Sequence, residues 1–193
     1  MRVLMIHCHP RPDSYSRALR EAALEGLRQA GHEVELRDLY AEGFQPAMTA
    51  EERPRYARIE PGLPGLEDHV ESLRAAEALV LVYPTWWYGM PALLKGWFDR
   101  VWAPGIAFTL GGGAIRPALT NIRRIAVVTT YGSPTWLLWW IGWPDHKQVS
   151  RGLRRLCAKG CALDWLYLNN MDRATQAQRD GFATRVKAHF ARW

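Results

Sequence analysis

Short apolar runs alternate along the chain with segments whose apolar residues recur every three to four positions. Val3-Leu4-Met5-Ile6 reads as a first strand within Arg2–His7. Ala18, Leu19, Ala22, Ala23, Leu24 and Leu27 then keep helical spacing up to Gly31, a residue suited to ending a helix. Val34, Leu36 and Leu39 alternate with charged residues, which predicts a second, more exposed strand over His32–Leu39. Leu66, Val70, Leu73 and Ala76 form the next helical pattern and lead into Ala78-Leu-Val-Leu-Val-Tyr83, an unbroken run suited to a strand buried on both faces. From Pro91 the period changes again: Leu93, Leu94, Trp97, Phe98 and Val101 predict a helix over Pro91–Val101. Ile125–Thr130 and Trp165–Leu168 read as a fourth and a fifth strand, with helices near Val149–Lys159 and over Thr175–Phe190. Tyr40–Pro64 is irregular apart from a short helix near Thr49–Tyr56. Ala103–Pro117, around Gly111-Gly-Gly113, reads as a flexible excursion.

Strands alternating with helices define a doubly wound α/β domain over residues 1–193, with a parallel sheet and right-handed crossovers. A strand order of 2-1-3-4-5 puts the topological switch between strands one and three. The loops after strands one, three and four then converge, at His9–Ser16, Pro84–Tyr88 and Thr129–Ser133. These are the three most unusual loops in the chain, and a ligand site is expected where they meet.

Composition narrows the ligand. Of 193 residues 48% are hydrophobic and 23% charged, both ordinary globular values, whereas the 10 Trp are not. The net charge of +6 favours an anionic partner, yet the basic residues are spread over helices rather than massed in a tail. An anionic cofactor or a nucleotide explains this charge as well as nucleic acid does. Three cysteines, Cys8, Cys157 and Cys161, make no disulfide framework and read as buried reduced thiols, which fits a cytoplasmic chain. Met1–His7 reaches charge too soon for a signal peptide, and Trp136–Trp143 is too short to span a membrane.

Each loop offers a different contact. Ser14, Tyr15 and Ser16 precede a helix, where hydroxyls and free N–H groups suit a phosphate; an ordinary N-cap is the plainer reading. His9 and Arg11 add donors or positive charge to that loop, which contains neither G-x-G-x-x-G nor a Walker lysine. In the second loop, Pro84, Thr85, Trp86, Trp87 and Tyr88 combine backbone N–H groups with aromatic faces. Thr129, Thr130 and Gly132 bring further donors from the third. A flat ring, a phosphate anchor and no set of nucleophile or metal ligands point to a flavin, with the protein supplying orientation and electrostatics.

These pieces resemble the NAD(P)H:quinone oxidoreductases of the flavodoxin-like superfamily, the branch of DT-diaphorase and modulator-of-drug-activity proteins. The matching residues are His9 with Ser14-Tyr-Ser16, Asp38-Leu-Tyr40, Phe44-Gln-Pro46, Tyr83-Pro-Thr-Trp-Trp-Tyr-Gly-Met-Pro91, Leu94-Lys-Gly-Trp-Phe-Asp-Arg-Val101 and Thr129-Thr130 with Gly132. The resemblance implies a flavodoxin-like three-layer sandwich. It also implies that His9, Ser14, Tyr15 and Ser16 bind flavin phosphates. Pro84 to Tyr88, Thr129, Thr130 and Gly132 are then expected at the isoalloxazine. FAD is expected ahead of FMN, with NAD(P)H as co-substrate, a quinone as acceptor and a ping-pong cycle carrying two electrons. Homodimers with active sites at the interface are implied as well, with Phe108 and Leu110 covering the substrate from the neighbouring subunit.

The likeness thins after Ser133. Animal members carry a Tyr and a His six residues apart that assist proton movement, and counting along this chain puts Leu137 and Trp143 there. Tyr131 and His146 are the candidates to serve in their place. Trp136, Trp139, Trp140 and Trp143 read either as a dimer interface and substrate-pocket wall or as core. Arg151, Arg154 and Arg155 read as a solvated helix face or as a clamp for the NADPH phosphate. A competing reading is a non-catalytic flavoprotein, an electron carrier or a regulatory subunit such as those of potassium-efflux systems.

Overall fold

The computed structural model describes residues 1–56, 64–111 and 113–193. Five parallel strands form the central sheet: β1 (Arg2–His7), β2 (Glu33–Asp38), β3 (Ala78–Pro84), β6 (Arg124–Thr130) and β7 (Ala162–Leu168). Their order is β2-β1-β3-β6-β7, which is the expected 2-1-3-4-5 arrangement of sheet strands. Every residue of β3 is buried, and its pairing runs from Val3↔Ala78 on one side to Pro84↔Thr130 on the other. The lack of any charge in this strand follows from having helices on both faces.

On one face lie α1 (Tyr15–Gln29) and α7 (Gln176–Phe190); on the other lie α3 (Glu67–Ala75) and α4 (Ala92–Val101). A short α2 (Glu52–Tyr56) precedes residues 57–63, which fall outside the described residues, so the Tyr40–Pro64 loop is described only in part. Among the described residues no helix is long and apolar enough to cross a membrane.

Three segments differ from the sequence expectation. The Ala103–Pro117 excursion contains an antiparallel hairpin, β4 (Phe108–Gly111) with β5 (Ala114–Pro117). Its four-residue strands are too short to show a clear period. The helix expected near Val149–Lys159 is instead a π-type turn, Gln148–Gly152, followed by a 3₁₀ turn, Leu153–Leu156. Gly152 lies at the junction, and the Arg154 side chain donates to the carbonyl of Cys161, which closes the turn early. The Trp-rich segment forms α5 (Thr135–Ile141) and α6 (Pro144–Lys147), divided by Gly142 with φ +84°. Trp136, Trp139 and Trp140 are 69%, 76% and 76% exposed, so the core reading of these three does not hold.

The stretch from Leu94 to Val101 has a clear structural task. Gly96 faces Pro46 so closely that a β-carbon there would stand 2.4 Å from the Pro46 carbonyl oxygen. One turn later Arg100, buried, donates to the carbonyl of Gln45 and pairs with Glu52, while its guanidinium lies over the Phe44 ring. Two of the matching motifs therefore hold each other, and α4 is fixed where it supports the loop after β3.

Candidate functional site

All three predicted loops meet at the carboxyl edge of the sheet. A cleft of about 460 Å³ is lined by His9, Ser14, Tyr15 and Ser16 from the first loop, Pro84, Thr85 and Trp86 from the second, and Thr130 and Gly132 from the third. Next to it, Thr85 to Tyr88, Tyr131, Gly132 and Ser133 line a second cleft of about 500 Å³. The two share Thr85, Trp86 and Gly132 and form one continuous site.

Ser14 caps α1, its extended backbone letting the hydroxyl accept from the Arg17 N–H at 3.2 Å. That bond uses one of the helix's free donors; Ser14, Tyr15 and Ser16, at the positive end of a fifteen-residue helix, line the cleft. Tyr15 donates to the carbonyl of Arg179 at 2.6 Å and ties the loop to α7. Arg11 is held by Asp13 through two bonds, at 3.0 and 2.7 Å. His9 accepts from the Arg11 N–H at 3.1 Å, and burial lowers its pKa, so the ring is neutral at pH 7. This loop therefore offers an anion neutral donors and a helix end, with one cation already paired.

The second loop makes an unusual turn. Trp86 and Gly89 exchange backbone hydrogen bonds at 3.1 and 3.0 Å, leaving Trp87 and Tyr88 at its tip. Both have positive φ, 51° and 58°, as a two-residue hairpin of this handedness requires. Gly or Asn is the ordinary choice there, and a bulky residue costs on the order of 1–3 kcal/mol at each position. Trp87 is nevertheless 96% exposed, so packing within this chain does not repay that strain. Among the described residues, the backbone N–H groups of Trp87, Tyr88, Gly132 and Ser133 donate to no protein acceptor. Four free donors beside aromatic faces suit the carbonyl and nitrogen edge of a flat heteroaromatic ring.

Several predicted residues lie elsewhere. The Thr129 side chain is fully buried and turns away from the cleft to bond the Thr85 hydroxyl at 2.8 Å. Strand alternation causes this: Thr130 takes the cleft side and Thr129 the inner side. Tyr131 borders the second cleft, but its phenol is buried and donates to Asp145 at 2.6 Å. Burial and the Asp145 charge raise its pKa well above the ordinary range. His146 stacks edge-on against Trp165 at 4.8 Å, and burial lowers its pKa. With Trp139, Trp143, Lys147 and Arg151 it lines a separate cavity of about 550 Å³. Trp143 packs edge-on against Tyr131 and Tyr167, at 5.7 and 5.2 Å. Trp136 faces another cleft, continuous with the first through Gly132 and Asp172. Phe108 packs on the core and Leu110 is exposed, both on the hairpin and neither among the residues lining this chain's clefts.

Sequence reasoning did not find Met171 and Asp172, which close the first cleft. The signal was Gly132, where a β-carbon would meet the Asp172 carboxylate at 3.0 Å. Asp172 is an acceptor and suits the hydroxyls of a sugar-like chain rather than a phosphate. Asp145 was missed as well.

A parallel sheet in this order, with a helix-end loop beside an aromatic cleft at its carboxyl edge, is the doubly wound α/β class, whose members bind ligands at the topological switch. Residues 1–159 match the family described as flavodoxin-like fold, and the chain belongs to it. It is 32% identical over 158 residues to the uncharacterized NAD(P)H oxidoreductase YcaK of Escherichia coli (strain K12), covering 81% of this chain and 76% of that one. It is 32% identical over 151 residues to NAD(P)H dehydrogenase (quinone) 1 of Cavia porcellus, covering 68% of this chain and 54% of that relative, about half its length. A solved structure, the NAD(P)H:quinone oxidoreductase from Methanothermobacter marburgensis, superposes with a TM-score of 0.84 at 30% identity, covering 99% and 96% of the two chains.

Proposed function

We infer that the chain is a flavin-dependent NAD(P)H:quinone oxidoreductase. The observation that carries this reading is the set of free N–H donors at Trp87, Tyr88, Gly132 and Ser133, held beside aromatic faces and next to a helix-end anion loop. The residues present fit a flavin. The α1 N-terminus with Ser14, Tyr15 and Ser16 would hold its phosphate, Asp172 hydroxyls of its sugar-like chain, and the four N–H groups its ring edge. A flavin held there would supply the redox chemistry, two-electron transfer between NAD(P)H and a quinone. The chain's own residues bind, orient and keep water from one side of the ring, and the exposed Trp87 face is available to the acceptor.

FAD is the cofactor we propose ahead of FMN, following the branch whose motifs the chain carries. The protein purified with bound cofactor is expected to be yellow, to bleach anaerobically with NADH or NADPH, and to recover its colour with menadione. Chromatography of the released cofactor separates FAD from FMN. A protein that stays colourless after incubation with both flavins, or that neither nucleotide bleaches, refutes the assignment.

We further propose a homodimer in which the hairpin reaches the partner's acceptor site. Leu110, 53% exposed at the hairpin, and the outward Trp residues of α5 support this. Sedimentation at micromolar concentration is expected to give a dimer. Leu110→Asp is expected to lower kcat/KM for a quinone about tenfold, an apolar contact being worth about 1–3 kcal/mol, while flavin reduction by NAD(P)H keeps its rate. A monomeric wild type refutes the arrangement.

A further inference from the structure

The mechanism above leaves one buried acid unused. Asp145 lies on α6, is 2% exposed, and sits behind the second and third loops. Its Oδ2 accepts from the Tyr131 hydroxyl at 2.6 Å and the Thr85 hydroxyl at 3.3 Å; its Oδ1 accepts from the His146 backbone N–H at 2.8 Å. All three donors are uncharged. A buried carboxylate usually pairs with a cation, because removing a charge from water is otherwise costly. Asp145 is held by neutral donors, and among the described residues it forms no ion pair.

The hydrogen bonds run in one direction. The Trp165 indole N–H donates to the Tyr131 oxygen at 3.2 Å, and Tyr131 donates onward to Asp145. The Thr129 hydroxyl, 2.8 Å from Thr85, completes a second arm once Thr85 donates to Asp145. Tyr131 and Thr85 both line the ring cleft, so each arm passes through the cleft wall and ends on one carboxylate. The Tyr83 phenol, also buried, has no hydrogen-bond partner among the described residues, and burial followed by the Asp145 charge raises its pKa. The Tyr131 ring that reaches Asp145 is itself packed among Trp143, Trp165 and Tyr167, apolar surroundings that screen charge poorly.

We propose that Asp145 is a positioning residue for the ring cleft: held behind the cleft wall by Thr85 and Tyr131, its buried negative charge lowers the electron affinity of the flavin bound there. The proposal rests on the flavin reading given above. Electrons added beside a fixed, poorly screened anion are disfavoured, so the charge makes the reduced cofactor a stronger donor to the acceptor. Asp145 touches no reacting atom and moves no proton in this account. Its hydrogen bonds fix the walls, and its charge sets the potential.

The test is the midpoint potential of the bound flavin, read by dye equilibration, in wild type, Asp145→Asn and Tyr131→Phe. Asp145→Asn keeps the volume and removes the charge, and is expected to raise the potential by about 30 mV, a tenfold change in the two-electron equilibrium constant. Tyr131→Phe removes a donor from the carboxylate, leaves its charge less shielded, and is expected to shift the potential the other way. A merely structural Asp145 would alter flavin affinity or Tm and leave the potential where it was. Asp145→Asn that binds flavin at the wild-type potential overturns the proposal while the flavin reading stands. Should Asp145→Asn fail to fold or to hold flavin, Tyr131→Phe decides: a lower potential supports the proposal and an unchanged one overturns it. A wild type that takes up no flavin overturns both readings.

Discussion

Gly96→Ala is expected to destabilise the protein by about 3 kcal/mol, the upper end of ordinary overpacking, and to weaken flavin binding with it. The added β-carbon would lie 2.4 Å from the Pro46 β-carbon, 2.4 Å from its carbonyl oxygen and 2.5 Å from its α-carbon. Those atoms belong to a rigid imino-acid backbone, so no flexible side chain can give way. Relief requires α4 to move off the Phe44–Pro46 segment, which pulls Arg100 from the Gln45 carbonyl and from Glu52. A buried guanidinium that loses its partner costs about 3–5 kcal/mol, so the helix has no cheap retreat. Because α4 begins just after the Trp86–Gly89 turn, its displacement carries the ring cleft along. A denaturant melt and a flavin titration of the same variant measure both effects. A wild-type melt would refute the packing account.

Acidification is expected to destabilise the protein before the paired carboxylate Asp38 titrates. His7 is buried, and burial is the main cause lowering its pKa below 6.5; the hydrogen bond to Asp38 at 2.9 Å offsets this only in part. His69 is lowered by burial in the same way, and its Nδ1 accepts the Trp97 indole N–H at 3.3 Å, so protonation there breaks a core hydrogen bond. Both folded pKa values lie below the unfolded one, so the unfolded chain binds the protons first. Their stability is therefore complete above about pH 6.5 and is lost as pH falls toward the folded values. Within that window each residue contributes a slope of about 1.4 kcal/mol per pH unit. Asp38 is itself lowered, burial opposing and the His7 hydrogen bond prevailing, and adds its loss only below pH 4. Urea melts from pH 7.5 to 5 are expected to show the fall, and His7→Phe with His69→Gln to flatten it. A flat wild-type profile over that range would refute the assignment.

How far the site could be read beforehand depended on which way each residue's chemistry and its surroundings pointed. The β1, β3 and β6 runs are apolar without interruption, and the loops that end them stand at the switch in strand order, so their convergence was legible. Within those loops, alternation decided which threonine faces the cleft, and Thr129 and Thr130 look alike in sequence. Asp145 was hidden by its neighbours: it stands among the polar residues His146 and Lys147 with no apolar period to mark it as buried, whereas α6 folds that one acid inward. Met171 and Asp172 follow β7, a strand whose loop the switch rule does not single out. The hairpin escaped because a glycine run reads as flexibility as readily as a turn.

The turn at Trp87 and Tyr88 also bears on the speed of association. Two reciprocal backbone bonds close the turn around Trp87 and Tyr88, so the backbone of the tip is already set when a ligand arrives. Ordering a residue's backbone costs about 1–2 kcal/mol. That entropy is settled during folding, and none of it falls on the encounter. The strain of two aromatic residues in left-handed backbone is thus the counterpart of a binding edge that waits fully formed, and capture should be limited by diffusion rather than by loop closure.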